Sequence, residues 1–267
     1  MQDDFGDRMK AYERIETDRH FMPLLPVYAR LDGRSFSKFT STLDQPFDEE
    51  FSSAMIDTTR YLVEQTNACI GYTQSDEISL VWLQKDYGSE LFFGGKVQKL
   101  VSVLAGMATA SFSYESRGYP ALDKRVLEMK PHFDCRVFQL PSKVEAANAI
   151  LWRERDAIKN GISKIAQEHF SHQELMNKSS AEKENMLMDI GVFCNGYKTY
   201  HTRGCFIQKR EKLETLTSSE LEAIPERHRP LPESVFNRSF TGIVQMPSFN
   251  KVKNRVEVIF DGADPLA

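Results

Sequence analysis

Long apolar runs are missing from this chain. No stretch of its 267 residues approaches the ~20 apolar residues that span a bilayer, so no membrane helix is expected. The opening MQDDFGDRMKAYERIE is charged from its third residue and does not make a secretory leader. Cysteine is scarce: Cys69, Cys135, Cys194 and Cys205 are scattered, with neither zinc-ribbon nor redox spacing. They read as reduced, mostly buried thiols of a cytoplasmic protein. Positive charge is not in excess either, with 34 Lys plus Arg against 38 Asp plus Glu and a net charge of −4. Dedicated nucleic-acid binders are usually basic, so a polyanion would have to meet a local patch. No Walker sequence, GxSxG elbow or Rossmann fingerprint occurs, and HFSH at 169–172 lacks the acid and third ligand of a metalloprotease. What is present, 41% hydrophobic and 27% charged residues, fits one large globular domain or a domain with an appendage.

The periodicities give an order of elements. Residues 1–20 are helical or irregular. Residues 26–31 read as a strand that Gly33 ends. Phe47, Phe51, Met55 and Leu62 fall at helical spacing over 47–65, with Asp44 or Pro46 as the start. ACIGYTQSDEISLVWLQ reads as a hairpin turning at Gln74-Ser75. GGKVQKLVSVLAGMATASFSYE is a second helix, and HFDCRVFQLP a fourth strand. Strand, helix, strand, strand, helix, strand is the split βαβ of a ferredoxin-like α+β fold, an antiparallel sheet with helices on one face. That domain spans 1–141. Residues 142–267 read as a helical and short-strand region packed on it. Its long helix has a break expected at Asn160-Gly161, and another helix starts at Ser180. Beyond these come β-like pieces GCFIQKRE, GIVQMPSF and RVEVIF, with a polar loop over 213–238.

Two strand-like runs end in acid: Asp32-Gly33 and Asp76-Glu77. In a split βαβ sheet the first strand and the central hairpin are neighbours, so Asp32, Asp76 and Glu77 converge. Carboxylates that close repel one another unless cations separate them. Magnesium prefers such oxygen ligands, and two ions ~4 Å apart serve phosphoryl transfer. The arrangement is that of nucleic-acid polymerase palms. Acidic residues also populate ordinary turns, and both readings stand on the two motifs alone.

RLDGRSFSKFT, YTQSDEISLVW, GGKVQKLVS and FDCRVFQLP, with DFGDRMKAYE, WRERDAIKN and TRGCFIQKRE, together resemble the tRNA-His guanylyltransferase family over residues 3–210. The fit is to its bacterial and archaeal Thg1-like branch of 3′-to-5′ RNA polymerases. The resemblance implies a polymerase-palm fold and nucleotide addition at the 5′ end of tRNA, with ATP or GTP as substrates, two Mg²⁺ ions and a homotetramer. It implies Asp32, Asp76 and Glu77 as the catalytic acids, with Asp32, Asp76 and the Gly33 carbonyl on the metals. Ser37 stands where eukaryotic members carry a His, and Ile158 where they carry the His linked to the anticodon. Strict choice of tRNA-His is therefore not implied; repair of truncated 5′ ends fits better. A palm-type nucleotidyl cyclase and a non-catalytic RNA-binding protein are the competing functions.

Further candidates follow from position and family match. Gly33, Arg34, Ser35, Phe36 and Ser37, just past a strand, can offer backbone N–H groups to a triphosphate or form a simple turn. Ser75 in the hairpin joins them. Arg30 faces either phosphate or solvent. Lys96 and Lys99 oppose the dipole at a helix start, a conflict that a bound phosphate resolves, and Ser102 lies one turn on. Arg153 and Asn160 sit on a helix where ion pairing alone accounts for the charges; the family match makes them tRNA contacts. Arg203, Lys209 and Arg210 form a cluster that neutralises RNA phosphates or protects an edge strand.

Overall fold

The computed structural model describes residues 4–231 and 234–267. Helix α1 (Asp4–Thr17) leads into β1 (Val27–Gly33), α2 (Phe36–Thr40), α3 (Glu49–Thr66), β2 (Ile70–Gln74), β3 (Glu77–Trp82), α4 (Val97–Glu115), α5 (Pro120–Met129) and β4 (Phe133–Gln139). Then come α6 (Lys143–His169), α7 (His172–Leu175), α8 (Ser180–Asp189), α9 (Thr199–Thr202), β5 (Cys205–Thr215), α10 (Ser218–Ala223), β6 (Val235–Val244) and α11 (Arg255–Asp261). Among the described residues no helix is long and apolar enough to cross a membrane.

One antiparallel sheet runs β4-β1-β3-β2-β5-β6. Its first four strands have the ferredoxin-like order, as the α+β reading required. The later residues complete the same sheet: β5 pairs with β2, opposing Tyr72 to Phe206, and β6 pairs with β5. The expected boundary at 141/142 falls between β4 and α6.

Alternation along the strands sorts side chains onto two faces. Ala29, Leu31, Ile78 and Leu80 pack with Met55, Leu62, Leu104 and Phe112 of α3 and α4. Tyr28, Ile70, Tyr72 and Val81 pack on the other face with Ala147, Ile150 and Leu151 of α6 and Val258 to Phe260 of α11. Helices therefore cover both faces, where one face was expected. The central strands β2 and β3 are buried along their whole length.

Several local expectations need correction. Helix α3 starts at Glu49, not near 44–46, because the Asp48 carboxylate accepts the Phe51 N–H (2.7 Å) and caps it. Helix α6 runs unbroken through Gly161. A Cβ there would lie 3.1 Å from Thr202 Cα, so this glycine serves close packing against α9 and not a break. Helix α8 does start at Ser180, as expected, with Ser179 capping it in a reciprocal box with Glu182. Helix α5 was unread. RVEVIF is helical, since Val258, Ile259 and Phe260 bury against α6 and not in a sheet. The supposed loop 213–238 holds the last three pairs of the β5–β6 ladder, Leu213↔Asn237 to Thr215↔Val235, and α10; its residues 232 and 233 lie outside the described residues. This arm has no half-buried face, so period-2 patterning was absent.

Gly204 joins α9 to β5 with φ +79, and a Cβ there would come within 2.5 Å of the Tyr72 hydroxyl. That hydroxyl donates to the Arg203 carbonyl at 2.8 Å. Gly204→Ala combines positive φ with overpacking, and is expected to cost about 2–4 kcal/mol, measured as a shifted urea midpoint at unchanged m.

Candidate active site

The hairpin turns at Ser75-Asp76, one residue later than expected, with Ser75 at φ +49 and Gln74 opposite Glu77. That single residue separates the two acids. Asp76 stays in the turn, while Glu77 is the first residue of β3, directly opposite Asp32 on β1. The Gly33 N–H donates to the Asp76 carbonyl at 3.0 Å and ties the two strand ends together. Burial pushes the Asp76 carboxyl above its ordinary range, and the negative charge of Asp32 pushes it the same way. Neither acid has a lysine or arginine nitrogen within 4.0 Å among the described residues.

Glu77 is in a different situation. It is 5% exposed, and Arg153 of α6 grips both its oxygens, Nε to Oε1 at 2.6 Å and Nη2 to Oε2 at 2.7 Å. Arg153 Nη2 also reaches Asp156 Oδ2 at 3.0 Å, and Arg30 Nε lies 4.0 Å from Glu77 Oε2. Burial still raises the Glu77 carboxyl, against the pull of Arg153. Of the three expected acids, Asp32 and Asp76 stand without an ion pair among the described residues, while Glu77 is taken up by Arg153. Among the described residues no group of three or more His, Cys, Asp or Glu is disposed to hold a metal ion. The carboxylates of Asp32 and Asp76 line the same cavity.

A cavity of about 390 Å³ opens over these acids, walled by Arg153, Asp156, Asn160, Ser163, Lys164 and Gln167 of α6. A second, of about 410 Å³, adjoins it through Gln74, Ser75, Asn160 and Lys164 and extends past Ser37, Phe47 and Tyr200. The two make a cleft with a polar, acidic end and a more apolar end, the size range of small-ligand sites. Lys164 stands between them, its Nζ 3.5 Å from Ser75 Oγ. Burial lowers its pKa, opposed by Asp76. His201 lies flat on Phe47 (ring centroids 4.8 Å apart, planes at 12°) in the wall of the second cavity.

The candidates scatter around this cleft. Ser37, Ser75 and Asn160 line it. Arg30 stands beside Glu77, its side chain 20% exposed. The Gly33 and Arg34 amides are already used, by the Asp76 and His132 carbonyls. The Phe36 ring is 2% exposed in an aromatic core, while Ser35, in the left-handed region just before α2, and Ser37 are exposed. Arg153, expected to meet RNA, is buried in its ion pairs.

Lys96, Lys99 and Ser102 do not join the acids within one chain. The helix after β3 must return antiparallel to it, so α4 begins at the far end of the sheet. There the Val97 N–H meets the Arg19 carbonyl, and Lys96 pairs with Asp18 (3.6 Å). The acid end is met by Thr109, whose Oγ1 accepts from Phe133 N. Ten residues of helix, about 15 Å, separate Thr109 from Lys99. Arg210 holds the C-terminal tail through Asp264 (2.6 Å), while Lys209 is exposed. Lys164 and Gln167 escaped the sequence reading, though a signal existed. Residues 153, 156, 160, 164 and 167 form a polar stripe at helical spacing along α6, beside its buried apolar face.

Arg203 packs over Glu154, Nη1 to Oε1 at 3.7 Å. Glu154 is 1% exposed and accepts the Phe249 N–H at 2.9 Å. Burial raises its pKa above the ordinary 4.5. The folded chain thus holds this proton more tightly than the unfolded chain, and the stability it contributes falls as pH rises from about 4.5 through the raised value. Glu154→Gln keeps an acceptor for Phe249 and is expected to flatten that part of the decline, read from urea unfolding at pH 4.5 and 7.

Residues 6–141, just over half of the chain, match the family model described as tRNAHis guanylyltransferase (Thg1). The chain is similar to the solved structure of a bacterial tRNA(His) guanylyltransferase (Thg1)-like protein in complex with ATP: 30% identity, TM-score 0.77, covering 96% of this chain and 98% of that one. It is 30% identical over 189 residues to the uncharacterized protein R259 of Acanthamoeba polyphaga mimivirus, which is 62% of this chain and 63% of that protein. It is 25% identical to the tRNA(His) guanylyltransferase of Neurospora crassa, over 97% of this chain and 91% of that one. A palm-ordered sheet with Asp32 and Asp76 at its strand ends, and a family model that spans both, carry the conclusion that this chain belongs to the tRNAHis guanylyltransferase family of nucleotidyltransferases.

Proposed function

We propose that this chain adds or restores nucleotides at the 5′ end of tRNA in the 3′-to-5′ direction, reading the opposite strand as template. The observation that supports it best is the meeting of Asp32 and Asp76, neither in an ion pair within 4.0 Å among the described residues, on the floor of a nucleotide-sized cleft. ATP or GTP activates a 5′-monophosphate, and pyrophosphate leaves. The 3′-hydroxyl of the incoming nucleotide then attacks that phosphate and displaces the activating mononucleotide. When another addition is needed, pyrophosphate is removed from the new 5′ end.

The donor set fits magnesium. Asp32, Asp76 and the Gly33 carbonyl are hard oxygen ligands, and a cation would offset both the burial of Asp76 and the repulsion from Asp32. Bound there, two such ions would neutralise phosphate oxygens and polarise the attacked phosphorus. The chain's own groups do the positioning. Lys164 and Asn160 project from α6 toward the phosphates. The amides of Ser35 to Ser37, with Ser75, border the triphosphate. The Arg153–Glu77 pair fixes α6 on the sheet. Ile158 leaves the family's anticodon-linked position without its imidazole, which favours 5′-end repair of several tRNAs over maturation of tRNA-His alone. A tetramer would bring the α4 lysines and the β5–β6 arm of other copies to one tRNA; a monomeric mass in sedimentation removes that arrangement.

Labelled GTP or another NTP, supplied with Mg²⁺ to tRNAs lacking one or two 5′ nucleotides, is expected to enter the 5′ end opposite its template base. No incorporation by well-folded protein overturns the reading. Turnover of NTP to a cyclic product without RNA would instead make the chain a cyclase.

A further inference from the structure

We propose that Trp152 is a stacking platform for an unpaired RNA base beside the acidic cleft, an inference that rests on the tRNA reading above. Trp152 is 54% exposed, although tryptophan is the costliest side chain to leave in water. The cause lies in the sheet. Helix α6 covers β1, β3 and β2 but stops short of the edge strand β4, whose burial alternates strictly at its start: Phe133 and Cys135 inward, Asp134 and Arg136 exposed. Arg136 lies directly opposite Arg30, and Phe138 opposite Tyr28, with the Tyr28 and Phe138 rings stacked at 5.0 Å. Trp152 borders this open strip: the Arg30 guanidinium is 5.7 Å from its ring centre and that of Arg153 is 4.5 Å away. An exposed indole with the Arg30 guanidinium against it, bordering a strip on which β4 carries Phe138 and Arg136 (Arg136 3.6 Å from Asp134), offers what single-stranded RNA requires: flat faces for bases and guanidiniums for phosphates. The strip leads along β1 from Arg30 to Asp32, two residues on. A 5′ end resting on Trp152 is therefore delivered to the acids.

The chain carries its own reporter. It has two tryptophans, and Trp82 is 3% exposed with its indole N–H donated to the Thr66 carbonyl at 3.0 Å. Solvent-exposed emission therefore comes from Trp152. Titration with a short single-stranded oligoribonucleotide is expected to quench that emission, and a blunt RNA duplex to leave it nearly unchanged. By fluorescence anisotropy with labelled RNA, Trp152→Ala should bind about tenfold more weakly, within the range for one lost base–aromatic stack, and Trp152→Phe should recover most of that loss. RNA that binds with Trp152 emission unchanged overturns the proposal, as does equal affinity for the Ala and Phe variants or no RNA binding at all. Emission that shifts with protein concentration alone assigns the strip to contact between copies and overturns it too. Quenching in a protein that incorporates no nucleotide would keep this platform and remove the polymerase reading.

Discussion

Asp76→Asn is expected to remove nucleotide transfer almost completely while leaving the fold intact or slightly stronger. Asp76 is a turn residue, so the amide keeps its size and its backbone bond to Gly33. The lost charge is one of two with no ion pair within 4.0 Å among the described residues, Lys164 acting on it only from farther off. Charge stabilisation by a bound metal supplies several kcal/mol of transition-state energy, so the rate should fall by roughly a thousandfold or more. Stability moves the other way. Asparagine ends the repulsion from Asp32 and the cost of burying a carboxylate, a change of order 1 kcal/mol in favour of the unliganded fold. Single-turnover incorporation into a 5′-truncated tRNA, paired with urea unfolding in EDTA, reads both. Activity within tenfold of the parent, or a large loss of stability, would contradict the assignment.

Arg153→Met should do the reverse and strike the fold first. Its guanidinium makes a two-point bond to Glu77 in a buried setting, and removing one partner strands the other charge. Such deletions cost about 3–5 kcal/mol. The double variant Arg153→Met with Glu77→Gln leaves no stranded charge and should regain much of that loss. A residue that merely touches RNA would behave differently: the single variant would bind tRNA less tightly at full stability, and the second substitution would rescue nothing. Thermal or urea unfolding of the three variants separates the two roles, since the coupling between the substitutions reports the ion pair.

The order of strands and the two acidic ends were legible because both are local. Val27 to Leu31 and Ile78 to Trp82 carry β-forming residues bounded by Gly33 and by the Ser75-Asp76 turn. The helices α3 and α4 show their apolar stripes at 3–4 spacing. Where local signals conflicted, contacts far along the chain decided. Gly161 looked like a break until Thr202 was found against it. RVEVIF looked like a strand until α6 offered a surface for Val258, Ile259 and Phe260. The β5–β6 arm gave no pattern because neither of its faces is buried along its outer half.

From spacing and residue type, the chain alone determined an antiparallel palm-like sheet with Asp32 and Asp76 at adjoining strand ends. Only the folded chain decided how the charges are shared. Glu77 and Arg153 are separated by 76 positions, and no periodicity encodes a bond across that span. The return path of α4 likewise carried Lys96 and Lys99 away from the acids, while the unbroken α6 brought Lys164 to them. Helix direction is fixed by topology and packing, which act through space and leave no mark at neighbouring positions.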